Sequence, residues 1–113
     1  MFYGCTALTS APVLPATTLA SSCYRNMFNG CESLTTAPEL PATTLAESCY
    51  SRMFYGCTSL NYIKCLATNI SASLCTINWV QDVPANGTFI KAEGMNNWTT
   101  GVHGVPTGWI VED

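Results

Sequence analysis

The fold class that the sequence predicts is α/β, a solenoid of 26-residue strand-helix coils closed by a small C-terminal β cap. Three observations predict it: a repeat, an apolar stripe at helical spacing inside each copy, and a loss of period beyond Asn78. MFYGCTALTSAPVLPATTLASSCYRN (Met1 to Asn26) is followed by MFNGCESLTTAPELPATTLAESCYSR (Met27 to Arg52) and by a degenerate third copy from Met53 to Asn78. A period of this length marks an array whose units cannot bury their apolar faces alone and are stabilised by stacking. Residues 1–78 therefore form the repeats and residues 79–113 a capping segment.

The helix of each coil is read from the second unit. Leu45, Cys49, Met53, Cys57 and Leu60 recur at intervals of four, four, four and three, which is the spacing of one helical face. Residues 46–55 contain no Pro or Gly, Thr43 or Thr44 is placed to cap the start, and Gly56 to end it. One unit earlier, Leu19, Cys23, Met27, Cys31 and Leu34 form the same stripe, with Gly30 as the stop. After each stop a stretch such as Ser33 to Pro38 mixes β-favouring Thr with small residues, so one short strand per coil is expected. Pro12, Pro15, Pro38 and Pro41 lack a ladder donor and belong at the corner that follows. The third unit loses both prolines.

In the tail, residues 87–92 and 108–112 read as short strands flanking a Gly-rich loop at 94–107. Trp79, Trp98 and Trp109 all fall here. They suit a lid over the last coil, each burying on the order of 200 Å²; a carbohydrate-stacking platform uses the same residue type.

Seven cysteines raise the question of disulfides or zinc. Cys5, Cys31 and Cys57 share one repeat position and Cys23, Cys49 and Cys75 another, both on the inward stripe, so the expectation is two columns of reduced, buried thiols. Neighbouring coils about 5 Å apart would permit a disulfide along a column, though three thiols leave one unpaired. No CxxC pair occurs and His103 stands alone, so no metal site is expected. No nucleophile motif and no paired carboxylates occur, so neither a catalytic residue nor a cofactor site is expected and the protein reads as non-enzymatic. A cysteine hydrolase joining His103 to Cys65 or Cys75 would need a proximity that the repeat does not predict. Three N-x-[ST] triplets, at Asn69, Asn86 and Asn97, match the glycosylation pattern in a chain rich in these residues.

Only 10% of residues are charged, and the net charge of −3 resides in the tail, where Asp82, Glu93, Glu112 and Asp113 face Lys91. No basic patch exists to neutralise phosphates, so nucleic acid is not an expected partner. No apolar run approaches the ~20 residues of a transmembrane segment. Met1 is followed at once by repeat sequence, with no signal peptide, which reads as an internal start in a longer array.

MFxGCxxL followed by TxAPxLPATTLAxxCYxxMFxGC resembles the BspA-like leucine-rich repeat family of surface proteins of host-associated bacteria, over Met1 to about Asn78. The closing run GTFIKAEGMNNWTTGVHGVPTGWIVED is similar to the cap that often follows such repeats. The resemblance implies a leucine-rich-repeat solenoid, a cell-surface or secreted full-length protein, adhesion to a host surface or matrix protein, and no enzyme activity. The alternative is a purely structural C-terminal capping piece with no ligand of its own. Ser10, Thr36 and Tyr62 are the expected outward column. Any ligand contact is expected near the third coil and cap, at Tyr62, Lys64, Trp98 and His103. An uncapped first coil would leave Phe2, Cys5, Leu8 and Leu14 facing water, and self-association through it, most simply as a twofold dimer, is expected.

Overall fold

A computed structural model describes residues 3–9, 14, 17–95 and 98–113. Three short strands, β1 (Tyr62–Cys65), β2 (Thr88–Lys91) and β3 (Ile110–Glu112), form one parallel sheet in the order β1-β2-β3. Tyr62 pairs with Thr88 and Thr88 with Ile110, and Lys64 with Ile90 and Ile90 with Glu112. The second unit joins this sheet through isolated parallel bridges only, Thr36 to Tyr62, Leu40 to Cys65 and Thr44 to Asn69. A continuous strand forms in the third unit, where the proline has gone: Lys64 stands at the position that Pro38 holds one unit earlier.

No helix occurs among the described residues, which overturns the strand-helix leucine-rich-repeat solenoid. The protein is a small β-type fold. The stretches expected to be helical are ribbons of overlapping β-turns. In the second unit Cys49, Ser51, Met53, Tyr55 and Cys57 donate their N–H groups to the carbonyls of Ala46, Ser48, Tyr50, Arg52 and Phe54, three residues back. The residues between them donate to the next unit instead: Ser48 to Ser73, Tyr50 to Cys75, Arg52 to Ile77, Phe54 to Trp79 and Gly56 to Gln81, at 2.8–3.1 Å. Every fourth residue, Ser48, Arg52 and Gly56, has positive φ (54°, 51° and 75°), and the pattern recurs at Ser22, Asn26 and Gly30 and at Leu74, Asn78 and Asp82.

The turn ribbon explains the stripe that resembled a helix. Its conformational unit is four residues, so Leu45, Cys49, Met53 and Cys57 face the same way indefinitely. On an α-helix of 3.6 residues per turn, each step of four overshoots by about 40°, and three steps carry the stripe about 120° off its face. Thr43 and Thr44 accordingly cap nothing. The Thr43 carbonyl accepts the N–H groups of Thr68 and Asn69.

Unit-to-unit register is visible in the aromatic rings. Phe28 stacks on Phe54 (5.8 Å, 2°) and Tyr24 on Tyr50 (6.1 Å, 10°), and Tyr50 stacks on Trp79 (5.9 Å). Phe28, Tyr50, Phe54, Trp79 and Phe89 are fully buried, together with Leu34, Leu40, Leu60 and Ile63. All seven cysteines are free thiols, and Cys31, Cys49, Cys57, Cys65 and Cys75 are buried, but Cys23 is exposed and Cys5 only half-buried. The two columns thus lose their cover at the first unit. There Leu14 is buried and Cys5 and Leu8 are partly buried against the core, contrary to the open apolar face expected. Phe2 and Ser10 lie outside the described residues.

Candidate functional site

The outward face of the sheet carries a constellation of exposed and part-exposed side chains. In β1 the burial alternates, with Ile63 and Cys65 inward and Tyr62 and Lys64 outward. Parallel register extends each outward residue into a row across three strands: Tyr62, Thr88, Ile110 and Lys64, Ile90, Glu112. Ile110 is 63% exposed at the end of the first row. The Lys64 ammonium lies 3.6 Å from the Glu39 carboxylate, with both side chains well exposed. An ion pair in that setting contributes at most about 1 kcal/mol and leaves Lys64 available to a partner. Thr36, exposed, continues the first row into the second unit through its bridge to Tyr62.

Of the four residues that the sequence singles out for ligand contact, the structure brings together only Tyr62 and Lys64. Trp98 packs on the core side of the sheet, stacked on Trp79 at 5.6 Å and edge-on to Phe89 at 5.3 Å. Its indole N–H is buried without a hydrogen-bond partner. His103 sits over the last turn ribbon, where its Nδ1 accepts the Asn78 N–H at 2.9 Å and its carbonyl accepts the Thr76 hydroxyl at 2.8 Å. That bond makes the imidazole a structural acceptor, standing where a further unit would place a carbonyl. Thr88, Ile90, Ile110 and Glu112 belong to the face and were missed. Neither Thr88–Lys91 nor Ile110–Glu112 alternates in sequence, so only the pairing register with Tyr62 and Lys64 places these residues on the outward face.

The interior holds little chemistry. Among the described residues no group of three or more His, Cys, Asp and Glu side chains is arranged to hold a metal ion. Burial pushes the thiols up, Cys49 to about 11 and Cys57 and Cys65 to about 12, and raises the Tyr50 phenol likewise. A thiol in that condition is almost wholly protonated at neutral pH and a poor nucleophile. The cleft bounded by Val80, Pro84, Gly101 and Pro106 has a volume of about 230 Å³, below the ~300 Å³ at which small-molecule pockets begin. No described helix is long and apolar enough to cross a membrane. No family model, curated protein or solved structure matches the chain, and nothing in the fold points to adhesion or to a surface location. The family resemblance therefore stands on the repeat motif alone.

Proposed function

We propose that the protein is a non-enzymatic protein-binding module whose contact surface is the outward face of the three-stranded sheet. The observation that carries this reading is the pair of cross-strand rows, apolar at Tyr62, Ile90 and Ile110 and flanked by Lys64 and Glu112. Large apolar side chains grouped on a solvent face among a few polar ones have the make-up of a small interface centre. Affinity capture with the wild-type protein and with a Tyr62→Ser/Ile110→Asp variant of unchanged thermal stability tests it. A protein retained by the first and lost on the second is expected; equal retention on both refutes the assignment.

A second reading, a purely structural closing element with no ligand, draws support from the way the segment around His103 ends the last turn ribbon. It predicts that the sheet face tolerates Tyr62→Ser and Ile110→Asp with no loss of any interaction.

A further inference from the structure

The chain contains two Asn-Gly steps, Asn29-Gly30 and Asn86-Gly87. Such a step carries a reaction of its own, because a Gly nitrogen, with no Cβ beside it, can reach the carbonyl carbon of the preceding Asn side chain. The fold treats the two steps oppositely. At the first, the Gly30 N–H donates to the Tyr55 carbonyl at 2.8 Å and the Asn29 side-chain amide donates to Asn26 Oδ1 at 3.1 Å, so nucleophile and electrophile are both tied within the turn ribbon. At the second, Asn86 is exposed, and among the described residues neither its side chain nor the Gly87 N–H has a hydrogen-bond partner.

We propose that Asn86 is a site of spontaneous modification, deamidated in the folded protein through a cyclic imide with Gly87, and that the isoaspartyl product releases β3 from the sheet. Hydroxide removes the Gly87 amide proton and the nitrogen attacks the Asn86 side-chain carbonyl carbon. The new C–N bond closes a five-membered ring, and the side-chain nitrogen takes a proton from water and leaves as ammonia, regenerating hydroxide. Water then opens the imide. Cleavage at the former side-chain carbonyl gives Asp; cleavage at the main-chain carbonyl gives isoaspartate, with Gly87 now attached through the side chain and one methylene added to the backbone.

That methylene falls where the structure has no room for it. The Pro84 carbonyl accepts the Trp109 indole N–H at 2.8 Å, and the Gly87 carbonyl accepts the Ile110 N–H at 2.9 Å, so the segment 84–87 holds two consecutive residues at the start of β3. The Gly87 backbone also lies so close to the Trp109 ring that a Cβ there would fall 2.5 Å from it. Lengthening the chain between Asn86 and Gly87 separates the two anchors, and β2 is the strand on which β3 pairs. The chemistry at Asn86 does not rest on the sheet face being a binding surface.

The test is incubation of the intact chain at neutral pH and physiological temperature, natively and in urea, followed by peptide mapping for Asp and isoaspartate at both steps. Freeing the Gly30 N–H from a hydrogen bond of ordinary worth slows its attack about three- to tenfold, so Asn86 should convert faster than Asn29 by at least that ratio in the native chain. In urea the two rates should converge. Equal conversion of both in the native chain, an Asn86 that converts only in urea, or a ratio unchanged by urea would each overturn the assignment. In the isolated isoaspartyl fraction the Ile110 amide should lose its protection from hydrogen exchange. Freshly prepared Asn86→Asp, which adds the charge without the methylene, and Asn86→Gln, which cannot close the five-membered ring, should both keep that protection. Retained protection at Ile110 in the isoaspartyl fraction, or its loss in Asn86→Asp, would refute the release of β3.

Discussion

Replacing Trp79 by Ala should be among the most damaging single changes in this chain. The indole is fully buried and lies against Tyr50, Phe54, Phe89 and Trp98, with ring centroids 5.6–6.2 Å apart. Its N–H donates to the Gly104 carbonyl at 2.9 Å, tying the closing segment to the third unit. Removing a buried Trp side chain costs about 3–5 kcal/mol. A chain of this length has a total stability of about 6–17 kcal/mol at 0.05–0.15 kcal/mol per residue, so the variant loses between a fifth and most of it. Trp79→Phe separates the two contributions. It keeps a ring in the stack and strands the buried Gly104 carbonyl, a cost of about 1–3 kcal/mol. Urea denaturation followed by far-ultraviolet circular dichroism measures both, with the midpoint falling further for Ala than for Phe. A loss below about 1 kcal/mol for Trp79→Ala, or equal losses for the two variants, would refute the reasoning.

Gly56→Ala should cost about 1–2 kcal/mol from its φ of 75° alone, since a Cβ there would lie 3.7 Å from the Gly30 backbone, ordinary contact; thermal denaturation reads the shift. Gly87→Ala should do more harm, because its Cβ would fall within 2.5 Å of the Trp109 ring, and nuclear magnetic resonance should show the Trp109 indole proton leaving its bond to the Pro84 carbonyl. A thiol reagent added to the native protein should modify Cys23 rapidly and the five buried cysteines only after denaturation; fast reaction at Cys57 or Cys65 would contradict the packing. The raised thiols also set the alkaline limit. Their folded pKa values, about 11 for Cys49 and about 12 for Cys57 and Cys65, exceed the ordinary value of 9.0, so their contribution to stability is complete below pH 9 and declines as pH rises towards 12. An unfolding midpoint in urea that held steady from pH 8 to pH 11.5 would exclude this.

Much of what the sequence made legible is local or strictly periodic. The pairing of equivalent positions, such as Phe28 with Phe54 and Tyr24 with Tyr50, follows from the repeat, because identical side chains at identical intervals stack only in that register. The strands β2 and β3 lie within the two tail segments that each open on a Gly and are rich in β-favouring residues. Two of the six residues on the candidate contact face, Tyr62 and Lys64, were singled out by the sequence, in the unit that has lost its prolines.

The tertiary structure alone decided the backbone of the apolar stripe. A spacing of four satisfies a short helix and a four-residue turn ribbon about equally well, and only the destination of the intervening N–H groups separates them. In a helix Tyr50 and Phe54 would bond within their own segment; here they reach Cys75 and Trp79, a choice made by a neighbouring unit 25 residues away. The same non-local demand placed Trp98 against Trp79 and set His103 over Asn78. An aromatic or an imidazole in a Gly-rich loop looks free to meet a ligand, but here Trp79 takes the one by ring stacking and the Asn78 N–H takes the other by donating to it.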